Sequence, residues 1–188
     1  MKKKESSSLS VKKPKKTRRT PEQVFENRTE GESYWADRPD TDTRLDWRND
    51  GGSWIEEYVK SADHPHRQLI VDALKSVFPF AGIMEIGCNA GPNLIRLSQA
   101  FPETQLAGFD INLPAVERAR QALPHALIHK GSLTEFPFAD SNFDVGIADA
   151  VLMYADPKTM KKVCEEVRRT IRKYLVLVEW HSEKKGGE

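Results

Sequence analysis

Ile83-Met84-Glu85-Ile86-Gly87-Cys88-Asn89-Ala90-Gly91-Pro92-Asn93 is the stretch whose reading decides the fold. Ile83, Met84 and Ile86 form a short apolar run of the kind that fills a buried parallel strand. Gly87 and Gly91 then let the backbone turn tightly and approach a ligand. Leu94, Ile95, Leu97 and Ala100 follow at helical spacing. Strand, loop and helix in that order aim backbone N–H groups and a helix N-terminus at the carboxyl end of a sheet, the place where doubly wound folds bind nucleotides.

The spacing discriminates between ligands. A dinucleotide fingerprint requires glycines in the order GxGxxG. Here the special positions are Gly87, Asn89 and Gly91, and Pro92 follows the last of them. Asparagine tolerates a left-handed backbone better than any residue but glycine. Glu85, at the strand end, suits a positively charged ligand better than a pyrophosphate, and a sulfonium with an amino-acid tail is such a ligand.

Glu85-x-Gly87-x-Asn89-x-Gly91 resembles the first motif of class I S-adenosylmethionine-dependent methyltransferases, and EIGCNAGPNL is especially similar to bacterial small-molecule members. The resemblance runs in ordered landmarks from about Ala81 to Trp180. It implies an α/β fold: a Rossmann-like, doubly wound parallel sheet of about five strands, helices on both faces, and N-terminal helical decoration. It also implies S-adenosyl-L-methionine as cofactor, a small-molecule methyl acceptor, and no metal.

Leu106 to Phe109 reads as a second strand ending at Asp110, whose carboxylate can accept from both ribose hydroxyls or else only open the turn with Asn112. By resemblance Asp110 is the ribose acid, with Ile111 beside it. Asn112 and Pro114 suit the start of a helix over Leu113 to Leu123. Ala126 to His129 is the third strand. The loop from Gly131 to Phe138 resembles the family's adenine-contacting loop, but many relatives carry Asp after that glycine and this chain has the neutral Ser132. Apolar contact with Leu133 is then the expected hold on adenine, unless the loop is a surface connection anchored by Phe136.

Asn142 to Asp149 is the fourth strand, and Asp149 and Tyr154 fall where the family places residues beside the transferable methyl. Asp149 can orient an acceptor, serve as general base, or cap the next turn; Tyr154 can pack or take part in the chemistry. The cofactor contacts implied are Glu85, Gly87, Cys88, Asn89, Gly91, Asp110, Ile111, Ser132, Leu133 and Asp149, with Cys88 a small filler. Pro157 to Arg172 is an amphipathic helix through Met160, Val163, Val167 and Ile171, its Lys- and Arg-rich face solvated.

Tyr174 to Trp180, YLVLVEW, is expected to be a buried fifth strand. The family fold adds a sixth strand and an antiparallel seventh, so the chain is expected to be a fragment or short variant. The edge of that strand then needs cover from an oligomer, a partner or the N-terminal region.

The first twenty residues hold nine Lys or Arg and one Glu, a local charge of +8 against −7 for the rest, from a total of +1. This tail, residues 1–20, is expected to be disordered, free in solvent or bound to nucleic acid, an anionic surface or an import receptor. Residues 21–80 form an N-terminal helical or lid region and residues 81–188 the cofactor-binding domain. Tyr34, Trp35, Trp47 and Trp54 either shape the pocket as part of the lid or pin the N-terminal helices to the sheet. Ser53-x-x-Glu56 reads as a capping box, and Pro65 opens a longer helix through Phe78. His64 and His66 give no metal set by themselves, and Arg67 can pair with the cofactor's carboxylate.

No apolar run reaches membrane-spanning length and no signal peptide is evident, so a cytoplasmic location is expected. Two cysteines, Cys88 and Cys164, form no disulfide or metal framework. Two other readings stand beside the enzyme: a cofactor-binding but catalytically silent assembly module, motivated by Ser132 and the short C-terminus, and a nicotinamide-dependent oxidoreductase, disfavoured by Asn89 and Pro92.

Overall fold

The computed structural model describes residues 30–40 and 53–179. The basic tail, Trp47 and Trp180 lie outside them. Five parallel strands form one sheet: β1 (Gly82–Ile86), β2 (Gln105–Asp110), β3 (Leu127–Lys130), β4 (Phe143–Asp149) and β5 (Ile171–Val178). Their order across the sheet is β3-β2-β1-β4-β5. The chain winds outward from β1 through β2 and β3, then returns to β4 on the other side, so a topological switch point lies between β1 and β4.

The helices are α1 (Glu30–Ala36), α2 (Trp54–Lys60), α3 (Pro65–Lys75), α4 (Pro92–Ala100), α5 (Leu113–Ala122) and α6 (Pro157–Thr170). Alternation along β1 splits the core. Ile83 joins Val145 and Ile147 of β4 and Leu106 of β2 against Ile70, Leu74, Leu94, Leu97 and Val116 of α3, α4 and α5. Met84 and Ile86 face Phe109, Phe136, Phe138, Phe143 and Val163 on the α6 side. Both faces are covered, as a parallel sheet requires.

Starts and stops follow local chemistry. Asn112 caps α5 by accepting from the Ala115 N–H at 2.9 Å, and Asp156 caps α6 by accepting from Lys158 and Thr159 at 2.8 and 2.9 Å. Ser53 accepts from the Glu56 N–H at 3.1 Å, but the Glu56 carboxylate pairs with Arg118 of α5 instead of closing the box, and so ties α2 to α5. The helix expected through Phe78 stops at Lys75, ahead of Pro79, whose ring disfavours helical backbone before it.

Three expectations about the C-terminal half are corrected. The helix expected to reach Arg172 ends at Thr170, because Ile171 adopts extended geometry, pairs with Phe143 and fills the space left by Gly146. Helix passes into strand with no loop, and the Arg169 and Thr170 carbonyls accept from Ser141 and Asn142. The polar face of α6 is not wholly solvated: Arg169 donates to the carbonyls of Phe138 at 2.7 Å and Phe136 at 3.1 Å, while buried Glu166 accepts from the Phe136 N–H at 3.0 Å. The fifth strand is displaced to Ile171–Val178 and is largely exposed, with Tyr174 44%, Leu175 38% and Leu177 54% accessible. Among the described residues no strand lies outside β5.

Candidate functional site

Strand register places the acids. Glu85 is level with Gly108 on β2 and Ile147 on β4, and Asp110 and Asp149 each lie two residues further along. Side chains two apart share a face, so all three carboxylates project on the α4 side of the sheet at or beyond the carboxyl ends of neighbouring strands. A cavity of about 330 Å³ opens there. Its wall includes Glu85, Gly87, Cys88, Asn89, Asp110, Ile111, Leu133, Asp149 and Tyr154, together with Gly31, Glu32, Trp35, Tyr58, His66, Arg67 and Asn93.

The glycine loop has the backbone that the sequence demands. Gly87, Asn89 and Gly91 all take positive φ, at 68°, 50° and 79°. A Cβ on Gly87 would also come within 2.9 Å of Val151 Cβ, so no larger residue fits. Gly91 is expected in the cofactor contact but stands outside the cavity wall; its bare Cα lets the start of α4 pack on Ala119 of α5 and on Leu123 just past its end. Burial pushes the Cys88 thiol well above its ordinary range, which agrees with a filler and not a nucleophile.

Asp110 is already engaged. Its Oδ2 accepts from the Asn89 N–H at 2.8 Å and its Oδ1 from the Asn112 N–H at 2.9 Å. Burial raises its carboxyl against these backbone bonds, which favour the charged form. The Ile111 N–H also favours the charged form. The turn-opening role is the one these bonds display.

Glu85 is buried, and its Oε1 accepts from Asn93 Nδ2 at 2.7 Å. Its Oε2 is buried with no hydrogen-bond partner among the described residues. Burial pushes this carboxyl up to about 8; Asn93 and Arg67 oppose the shift, and Asp149 and Asp110 add to it. An orphaned carboxylate oxygen at the switch point fits a ligand with an ammonium group.

Asp149 is a hub. Its Oδ2 meets Asn93 Nδ2 at 2.9 Å, His66 Nε2 at 3.1 Å and Arg67 Nη1 at 3.4 Å. Arg67 is buried and further donates to Asn93 Oδ1 at 2.5 Å, to the Ser61 carbonyl at 2.7 Å and to Ser61 Oγ at 2.8 Å. Just beyond Asp149, Ala150 has a positive φ of 52°. The turn that follows is capped by Glu179, which accepts from the Val151 and Leu152 N–H groups at 3.1 and 2.9 Å. Tyr154, in that turn, meets Trp35 edge-on at 5.5 Å.

The described N-terminal aromatics divide between the cavity wall and packing. Trp35 lines the cavity, while Trp54 is buried, donates from Nε1 to the Pro39 carbonyl at 2.8 Å and carries the Arg38 guanidinium 4.2 Å above its ring. Asn112 Nδ2 fastens this segment by donating to the Trp35 and Arg38 carbonyls at 2.8 and 2.9 Å. Ser132 stands behind the wall, bonded to Glu32.

The sequence assigns no role to Asn93 and Glu32, which line the cavity, or to Glu179, which caps the turn after Asp149. Asn93 had a signal: it shares the buried stripe of α4 with Leu94 and Leu97, where a polar side chain must find partners. Among the described residues no group of three or more His, Cys, Asp or Glu could hold a metal, and no helix is long and apolar enough to cross a membrane.

The sheet order and the switch-point cavity are those of a Rossmann-like fold, and the comparisons place it with class I methyltransferases, whose cofactor is S-adenosyl-L-methionine. Residues 83–174 match the methyltransferase domain family, and that segment is a domain of this type. A trans-aconitate 2-methyltransferase from Deinococcus radiodurans is 26% identical over 115 residues, 60% of this chain and 43% of the relative. Among solved structures, the plantazolicin methyltransferase BpumL in complex with S-adenosylhomocysteine has a TM-score of 0.59 at 17% identity, covering 79% of this chain and 56% of that one. A methyltransferase structure from Methanococcus maripaludis has a TM-score of 0.56 at 16% identity, covering 65% and 60% of the two chains. These structural likenesses concern the fold, and the chain spans less than half the length of the curated relative.

Proposed function

We propose that this chain binds S-adenosyl-L-methionine in the switch-point cavity and transfers its methyl group to a small-molecule acceptor. The observation that carries the reading is Glu85 Oε2: buried, unpartnered among the described residues, and one strand away from both Asp110 and Asp149. A buried carboxylate oxygen left without a partner costs free energy that an ammonium ligand recovers.

In this reading Glu85 receives the methionyl ammonium and Asp110 the ribose hydroxyls. Ile111 and Leu133 flank the base, and Arg67 faces the methionyl carboxylate. When bound, the cofactor supplies an electrophilic methyl group on a sulfonium. The chain's own task is to hold acceptor and cofactor in line and to exclude water. Asp149 and His66 are the groups placed to orient an acceptor and take its proton: both line the cavity, and the three Asp149 contacts all use Oδ2. Tyr154 and Trp35 close the apolar side. Trans-aconitate, the acceptor in the name of the Deinococcus relative, is one compound to assay first.

The test is calorimetry with S-adenosylhomocysteine on the wild type and on Asp110→Ala, followed by transfer of labelled methyl to candidate acceptors. Loss of charge-assisted bonds to the ribose should weaken binding by about 1.5–3 kcal/mol. Equal affinities would remove Asp110 from the site, and absence of binding to the wild type would end the cofactor reading.

A further inference from the structure

His64 and His66 flank Pro65 at the start of α3, His64 as the N-cap and His66 in the first turn. That spacing brings the two imidazoles together, and His64 Nδ1 lies 2.7 Å from His66 Nδ1. The far nitrogen of the second ring, His66 Nε2, lies 3.1 Å from Asp149 Oδ2. Three ionisable side chains from α3 and β4 thus form one line of contacts, and exposure falls along it. His64 is exposed and stands outside the cavity wall, whereas the side chains of His66 and Asp149, both in the wall, are 34% and 13% accessible.

The protons in this line can be placed. A carboxylate only accepts, so the contact of His66 Nε2 with Asp149 holds a proton on the ring. Two bare ring nitrogens repel, so a proton also lies between the two Nδ1 atoms. As the helix cap, His64 Nδ1 accepts from the His66 backbone N–H at 3.4 Å, which makes it the acceptor and His66 Nδ1 the donor. His66 then donates from both nitrogens. Arg67 of α3 and Asn93 of α4 donate to the same Asp149 oxygen, at 3.4 and 2.9 Å, and so favour keeping the proton on the ring and off the carboxylate. On the β1 side the ionisable neighbour of Asp149 is Glu85, coupled to it by charge.

We propose that His64 is the outlet for a proton given up by the methyl acceptor, which makes that acceptor a nucleophile bearing hydrogen on its reacting atom, a hydroxyl or an amine, and not a carboxylate. This rests on the methyl-transfer reading above. In the balanced step the sulfur–methyl bond breaks with its electron pair left on sulfur, and the acceptor atom forms the new bond to carbon. The acceptor's proton passes to His66 Nε2 at the Asp149 contact, the Nδ1 proton of His66 passes to His64 Nδ1, and His64 gives its Nε2 proton to water. One proton enters as one leaves, and the two rings, both reached by water, regain their starting tautomers by exchange. A carboxylate acceptor has no proton to give at its reacting oxygen and would leave the line idle. His64 acts only through His66.

Nitrogen NMR of the full chain, labelled with heavy nitrogen at histidine, tests the line of contacts without any ligand. The wild type should show a coupling between His64 Nδ1 and His66 Nδ1 through the shared proton. Asp149→Asn should move the titration of His64 along with that of His66, because interacting groups titrate as a pair. No coupling, or a His64 titration that stays in place while that of His66 moves, overturns the outlet and leaves the cofactor reading intact. A wild type that does not bind S-adenosylhomocysteine ends both. If Asp149→Asn fails to fold, the wild-type coupling alone decides. Transfer of labelled methyl to catechol, benzylamine and trans-aconitate tests the acceptor class, and transfer to the carboxylates of trans-aconitate overturns it. With catechol or benzylamine as acceptor, His64→Asn, which keeps a cap on α3, should lower kcat about tenfold at unchanged KM, and free imidazole in the buffer should restore it. An undiminished kcat overturns the role of His64.

Discussion

Binding of S-adenosylhomocysteine near neutral pH should expel a proton from Glu85. With its carboxyl pushed up to about 8, Glu85 in the free protein is protonated in about nine molecules of ten at pH 7. A ligand ammonium at Oε2 reverses the balance, because a cation beside a buried carboxyl restores its charge. Binding at pH 7 should then release about 0.9 proton, and affinity should rise about tenfold per pH unit toward pH 8 and then level off. Titration calorimetry at pH 7 in buffers of different ionisation enthalpy measures the release as the slope of apparent enthalpy against buffer enthalpy. Glu85→Gln should flatten that slope. Wild type and variant with the same slope would refute the reasoning, whatever their affinities. The free protein gives an independent sign. A folded-state value raised from 4.5 to about 8 means that the stability held below pH 4.5 is lost as pH rises through 8. At about 1.4 kcal/mol per unit this amounts to about 5 kcal/mol, so ligand-free Glu85→Gln should melt above the wild type at pH 8.

Two further outcomes follow from the other half of the molecule. Burial works against the charge of Glu166, and Arg169 with the Phe136 N–H overcomes it, holding the carboxyl below its ordinary range. Its contribution is therefore present above that range and lost as pH falls. Arg169→Ala should cost about 2 kcal/mol in denaturant unfolding at pH 7 and flatten the acid limb of the stability curve, and an unchanged acid limb would count against the pairing. Leu177→Lys, on the exposed face of β5, should raise the concentration at which the chain stays monodisperse in light scattering and change stability by no more than about 0.5 kcal/mol.

The sheet was legible because its signals are local. Gly87, Asn89 and Gly91 stood out as the positions needing left-handed backbone, and all three have it. Asp110 and Asp149 were found because each closes an apolar run, and strand ends are where a doubly wound fold keeps its ligands. The fifth strand was misjudged because apolar composition reports what a strand prefers to touch and not whether anything covers it. Ile171 fits helix and strand equally by spacing, and the gap at Gly146, visible only in three dimensions, decides for strand. Arg67 was half legible: it shares the buried stripe of α3 with Ile70, Val71 and Leu74, and a cation on such a stripe must find partners. Glu32 carried no signal, since its partner is a hundred residues away.

The two sources of the site explain its state before any ligand arrives. The acids come from one continuous run of β-strand ends, and the groups that face them, Arg67, His66, Glu32 and Trp35, come from the N-terminal helices. Arg67 bonds to Ser61, Asn93 and Asp149 together, so the contact that seats α3 on the sheet also fixes the orientation of the acids. Asn112 does the same for the segment after α1, while capping α5 beside Asp110. Among the described residues, Glu85 is the one of the three acids with a buried oxygen that lacks a partner. The polar geometry is thus set during folding, by bonds that a ligand can share and need not break. Under the proposed cofactor reading, binding then demands little rearrangement of the wall, and the unsatisfied oxygen of Glu85 favours a cationic ligand.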